Sequence, residues 1–358
     1  MLQAGVLLCL IGFAISGPPV SKTRSQIQAF REALEKSRTG DGFRLDSRML
    51  ANPEANVWEN SGKYQGDIVL DDEQIEGLVA SFAGVSSRAA YVDPGRRWPG
   101  KVMVYEFGHK EFNAAQERAI LRAMEWIEHF SCVRFRLRRP YEQNYVLITG
   151  RPDGCYASVG YHENAYVHTL NLARAEPGEG CLHNIVIIHE ILHNLGFFHM
   201  HSAYERYEYV RINWGNIQQG KAHNFYHLQR NQVDLLGLPY EYQSSMHYST
   251  HAFSMNGQPT IVATKNFPGT MGHMQYVTHL DWVRLRRHYN CPGAWDERQI
   301  QEVKEEVDRT LPLMMAESPQ TEDLNQDVEN NERWSSARFP HPGQPGSQYL
   351  GEQRQVSG

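Results

Sequence analysis

The string His189-Glu190-Ile191-Leu192-His193-Asn194-Leu195-Gly196-Phe197-Phe198-His199 constrains this chain more than any other stretch. It closes an apolar run that predicts a buried helix over residues 183–195. His189 and His193 stand four apart, so a helix projects both rings from one face. Gly196 falls where that helix should stop, because glycine takes a left-handed turn without strain. The chain can then swing back and present His199 from a new direction. Three neutral imidazoles leave one position for water, the donor pattern of a catalytic zinc site. Glu190 follows the first ligand directly, beside the ion but off the ligand face, which makes it the candidate general base. A bare His-Glu-x-x-His arises easily by chance. Five fixed positions within an apolar helix are poorly explained that way.

The rest of the chain supplies a context. Gly5–Ile15 is apolar but shorter than the roughly 20 residues a membrane helix needs. Small residues and two prolines follow it, so residues 1–17 are read as a secretory signal peptide. No other run is a membrane-span candidate, and the mature protein is expected to be secreted, extracellular and soluble. Cys9 leaves with the signal. Cys132, Cys155, Cys181 and Cys291 remain, and an even number in a secreted chain predicts two disulfides. Three pairings stay open at this point. No C-x-x-C pair suggests a zinc ribbon or redox site. A net charge of −6 and a pI near 6.3 give no basis for nucleic-acid binding.

Composition divides the 358 residues. Residues 18–88 form a separate leading segment with a polar amphipathic helix over 21–37. It ends at Ser86-Ser87-Arg88, an exposed-type basic site suited to cleavage before Ala89. Residues 89–291 hold all four mature cysteines. Within them, strands are predicted over 101–107, 133–137, 145–149 and 166–172, with helices over 113–130, 183–195 and 280–289. Residues 292–358 are rich in Glu, Gln, Asn, Ser, Pro and Gly. A short helix over 300–311 aside, they are read as an acidic disordered tail, with too little apolar surface to offset ordering entropy.

Further motifs carry a resemblance to a family. The histidine string matches the metzincin signature, and Ser245-Met246-His247-Tyr248 resembles the Met-turn of the astacins. The contexts of Cys132, Cys155, Cys181 and Cys291 and the run Tyr209–Trp214 are similar to that family too. Tyr64-Gln65-Gly66-Asp67 resembles its pro-segment pattern F-x-G-D, with Tyr for Phe. The chain is thus identified as a member of the astacin family over about residues 64–291. The resemblance implies an α+β fold of two subdomains: an N-terminal twisted mixed sheet with two long helices, and a mostly irregular C-terminal half with a final helix. It implies bridges Cys132–Cys291 and Cys155–Cys181, Met246 as the apolar floor under zinc, and Tyr248 as an oxyanion stabiliser. It makes residues 18–88 a pro-segment, Asp67 the zinc ligand of the zymogen, and Arg88–Ala89 the activation bond. A peptide would lie along an edge strand, of which residues 155–158 are the expected part.

Three features depart from the family pattern. Met200 stands where a glutamate usually holds the new N-terminus, Ala203 and Glu205 replace the usual Arg and Asp, and the 161–180 loop differs and is lengthened. Of Arg284, Arg286 and Arg287, none can be placed in the substrate pocket. The expectation is a secreted zinc metalloendopeptidase with one Zn2+ per subunit, acting on protein or peptide substrates and activated by a trypsin-like protease. It has no nucleic-acid partner and no membrane attachment after signal removal. The alternative is a catalytically weak or inactive secreted protein of the same fold, acting as a binding or coat protein; loss of Glu190 or of a ligand would have pointed to it.

Overall fold

The computed structural model describes residues 22–85, 96–230 and 232–316. The signal-peptide region 1–17, the Arg88–Ala89 bond and residues 317–358 lie outside the described residues. The leading segment contributes α1 (Arg24–Thr39), α2 (Leu45–Ala51), β1 (Ile68–Val69) and α3 (Asp72–Phe82). Then come β2 (Val102–Phe107), α4 (Ala114–Phe130), β3 (Arg134–Leu137), β4 (Tyr145–Thr149), β5 (Cys155–Ser158) and β6 (Val167–Leu172). The histidine helix is α5 (Asn184–Asn194). Beyond it lie β7 (Val210–Ile212), β8 (Ile261–Ala263), α6 (His279–His288) and α7 (Arg298–Ala316). The architecture is α+β.

Six strands form one mixed sheet in the order β1-β5-β6-β4-β2-β3, parallel except where β5 pairs with β6. Two long helices, α4 and α5, pack together beside it. α4 starts with a reciprocal cap, Asn113 and Gln116 each bonding the other's backbone N–H at 3.0 Å. Its apolar stripe, Ile120, Met124 and Ile127, is buried. α5 is rich in β-branched Ile and Val, which are mediocre helix formers. Every residue from Ile185 to Asn194 is buried, so tertiary packing overrides propensity there. Asn194 Nδ2 donates to Ser158 O at 2.9 Å and Thr169 O at 3.0 Å, which ties the helix end to β5 and β6. The 161–180 segment, expected to be a loop that departs from the family pattern, contains β6.

Among the described residues, the C-terminal half has only the short pair β7–β8 and α6 as regular strand and α-helix before Cys291. Cys132–Cys291 joins the end of α4 to the end of α6, and Cys155–Cys181 joins β5 to the approach to α5. Each such bridge contributes about 2–4 kcal/mol.

The tail reading needs a correction over residues 298–316. α7 is longer than the short helix expected, and it packs against α6 with Val303, Val307, Thr310 and Met314 buried. Those positions share one face at i, i+4, i+7 and i+11. Polar average composition hid an amphipathic stripe. Two helices of the leading segment, α2 and α3, are likewise not among the elements expected from sequence.

Candidate metal centre

α5 presents His189 and His193 one turn apart, and the chain then reverses at Gly196. Gly196 has φ +108°, and a Cβ there would sit 2.8 Å from His288 Nε2. The turn therefore demands glycine both for its backbone and for the close approach. His199 follows, and its Nε2 turns back toward the two helical rings.

The Nδ1 atoms define how the rings are used. His189 Nδ1 donates to Ser245 O at 2.7 Å, and His193 Nδ1 donates to Phe197 O at 2.6 Å. His199 Nδ1 donates to Gln65 Oε1 at 3.0 Å. Each ring is thereby held as the tautomer with a bare Nε2 lone pair. All three Nε2 atoms face one carboxylate oxygen, Asp67 Oδ2, at 3.0, 3.4 and 3.3 Å from His189, His193 and His199. All four side chains are buried, and their donor atoms lie within 4.8 Å of one another.

This donor set fits zinc: three nitrogens and one oxygen around one point, with their outer hydrogen bonds in place. The electrostatics agree. Burial holds the pKa of His189 and His199 well below the usual range and lowers His193 to about 4, so the rings are neutral, as metal ligands must be. Burial pushes Asp67 and Glu190 well up, and each is raised further by a neighbouring carboxylate, Glu59 for Asp67 and Asp67 for Glu190. Asp67 Oδ1, both Glu190 oxygens and the Tyr248 hydroxyl are buried without a hydrogen-bond partner. A divalent cation held by these donors would offset the cost of burying carboxylate charge there.

The Met-turn lies behind His189. Asp281, in the first turn of α6, accepts from Ser244 Oγ at 2.6 Å, Ser245 N at 2.8 Å and Ser245 Oγ at 2.9 Å. That fixes the carbonyl that fixes His189. Met246 is buried in the main core, and its carbonyl accepts from Met200 N at 2.7 Å. Met200 is buried in the same core, an apolar use of the position. Tyr248 is fully buried; its ring stacks on His201 at 3.6 Å and lies 5.0 Å from His199. Arg284 is engaged by Glu241 at 2.7 Å and Pro239 O at 2.6 Å, Arg286 by Gln299 at 2.6 Å, and Arg287 by Leu236 O at 2.9 Å.

The leading segment packs over the histidines and against β5. β1 adds to β5 in parallel, Ile68 opposite Ala157 and Val69 opposite Ser158, which makes β5 the edge strand that β1 covers. A tight turn over 63–66 delivers Asp67. Gly66 has φ +89°, and a Cβ there would lie 2.8 Å from Glu59 Cα. Three contributors escaped the sequence reading. Trp58 is fully buried and stacks on His189 at 4.3 Å and His199 at 4.7 Å. Glu59 accepts from Ser249 N at 2.6 Å and Ser249 Oγ at 2.8 Å. Gln65 holds His199. The signal available was their nearness in sequence to the Tyr64–Asp67 string.

Comparison with known proteins gives this geometry its setting. Residues 90–290 match the family model Astacin, which describes a peptidase family. The chain is 31% identical over 259 residues to zinc metalloproteinase nas-6 of Caenorhabditis elegans, covering 72% of each. It is 34% identical over 235 residues to seminal metalloprotease 1 of Drosophila melanogaster, covering 65% of this chain and 88% of that one. It is 33% identical over 244 residues to meprin A subunit alpha of Mus musculus, covering 67% of this chain but 29% of meprin. The matches span 50% and 44% of the further nematode relatives nas-7 and nas-15. Among solved structures, high choriolytic enzyme 1 of Oryzias latipes, a hatching-enzyme zinc protease, aligns with TM-score 0.48 at 30% identity, over 55% of this chain and 93% of its own. The class is that of zinc metalloendopeptidases, which act on proteins. The chain belongs to the astacin family.

Proposed function

We propose that the chain is made as a secreted zymogen, with His189, His193 and His199 as the zinc ligands of the enzyme and Asp67 as the added ligand of the latent form. The observation that carries this reading is the single oxygen, Asp67 Oδ2, lying 3.0–3.4 Å from three Nε2 atoms. Asp67 occupies the place where water and a substrate carbonyl must come, and β1 covers the β5 edge where a peptide would pair. Residues 18–88 are then a pro-segment, 89–291 the catalytic domain, and cleavage of Arg88–Ala89 by a trypsin-like protease the activating step. The signal-peptide reading of 1–17 supports secretion, and no helix among the described residues is long and apolar enough to cross a membrane.

His189, His193 and His199 would hold the zinc, which would supply Lewis-acid polarisation of the substrate carbonyl and a lowered pKa for water. The remaining work falls to side chains. In the closed chain burial and then Asp67 raise the Glu190 carboxyl, and departure of Asp67 removes the second of these causes. Glu190, with both oxygens free, takes a proton from the attacking water and returns one to the leaving amine. Tyr248, whose hydroxyl is free, donates a hydrogen bond to the oxyanion as it forms. Met246 lies in the apolar core, and its carbonyl holds the N–H of Met200, the residue after His199.

The test is to treat the purified proenzyme with trypsin and assay a denatured protein substrate with and without a zinc chelator. Activity that appears only after cutting near Arg88 and disappears with chelator supports the reading. Correctly cut, zinc-loaded protein that is inert on varied substrates overturns it.

A further inference from the structure

Two of the three histidines are oriented by carbonyls on the far side of the activation bond from the pro-segment, Ser245 O and Phe197 O. The third is oriented from within the pro-segment, by Gln65 Oε1. The Gln65 amide is itself fixed. Its Nε2 donates to Tyr64 Oη at 3.2 Å, and its own backbone N–H donates to Asn224 Oδ1 at 2.9 Å. Gln65 is fully buried and sits at φ +47°, a conformation that costs energy for a residue with a side chain. The tyrosine at 64 supplies the hydroxyl that turns the amide so that its oxygen faces His199.

From this geometry we infer that Gln65 is a positioning residue for the metal centre: it sets the tautomer and orientation of His199, and the zymogen therefore holds zinc more tightly than Asp67 alone would provide. The inference rests on the reading of residues 18–88 as a pro-segment. A hydrogen bond to the outer nitrogen of a ligating imidazole raises its basicity and fixes its plane, and losing one weakens metal affinity about 10–100-fold. Activation removes ligand and positioning group together, since both lie on the same turn. His199 is then left to find another partner for Nδ1.

The experiment measures zinc dissociation constants by chelator competition on intact proenzymes. Gln65→Leu is expected to weaken zinc about 10–100-fold. Gln65→Glu restores an acceptor and is expected to stay close to wild type or bind more tightly. Tyr64→Phe frees the amide and is expected to fall between Gln65→Leu and wild type. After cleavage and separation of the pro-segment, all four proteins are the same molecule and must agree. If Gln65→Leu does not fold, Gln65→Asn, too short to reach the ring, takes its place. Wild-type affinity in the Leu or Asn variant, or equal weakening in the Glu variant, overturns the inference. Asp67→Asn is measured alongside for activity before cutting. If it stays latent, the zymogen-ligand reading fails while the Gln65 affinities still stand or fall on their own.

Discussion

Glu59 grips Ser249 with both carboxylate oxygens, one on the backbone N–H at 2.6 Å and one on the hydroxyl at 2.8 Å. Ser249 follows Tyr248 directly, so the leading segment is latched to the Met-turn loop one residue from the candidate oxyanion donor. Glu59→Ala leaves a buried N–H and hydroxyl unpaired, a cost of about 1–3 kcal/mol for an orphaned group. The uncut variant is expected to show several-fold more peptidase activity than the uncut wild type, with activity after trypsin unchanged. Assaying both forms of both proteins checks it.

Asp67→Ala removes the oxygen facing three Nε2 atoms. The uncut variant is expected to gain activity, though less than cut wild type, because β1 still covers β5. Parallel measurement on a peptide substrate, before and after trypsin, gives the two values. Equal latency in variant and wild type would contradict the assignment.

Asp281 lies in the first turn of α6, yet its carboxylate reaches outside the helix to hold Ser244 and Ser245. It also meets the buried Arg284 at 3.3 Å. Asp281→Ala weakens the pairing of that cation and releases the carbonyl that orients His189. The expected loss is about 3–5 kcal/mol of stability, typical of breaking a buried charge pair, with weaker zinc retention. Denaturant unfolding together with zinc analysis after dialysis measures both.

Much of the centre was legible because its information is local. A four-residue spacing on an apolar helix, a glycine and a third histidine are read within one short string. Gln65, Trp58, Glu59 and Asp281 were not legible in the same way. Their roles depend on which distant backbone atom or ring they meet after folding, and no periodicity encodes that. α7 was expected only as a short helix over 300–311, because averaging over its charged residues concealed the stripe Val303, Val307, Thr310 and Met314 that packs it down. α3 carried an overlooked signal, the reciprocal cap between Asp71 and Gln74 at its start.

His168 predicts an acid-labile fold. Its Nε2 accepts from His162 N at 2.8 Å, and burial lowers its pKa from 6.5 to about 4. Between those values the unfolded chain binds the proton and the native chain does not. Stability is therefore intact above pH 6.5 and falls as pH drops toward 4, by on the order of 2–3 kcal/mol from this group. Urea unfolding at about pH 7 and about pH 5, on either side of the free imidazole value, should show the fall, and His168→Gln should show less of it. An equal pH dependence in both proteins would remove His168 as the cause.

In the proposed mechanism Glu190 moves the proton at a zinc centre built by His189, His193 and His199. The most direct measurement pairs zinc content with hydrolysis in trypsin-cut wild type and Glu190→Gln. One zinc per chain is expected in both proteins, with hydrolysis lower by about 10²–10⁴-fold in the variant, the usual contribution of a general acid–base group. Near-wild-type hydrolysis by a zinc-loaded Glu190→Gln protein would contradict it.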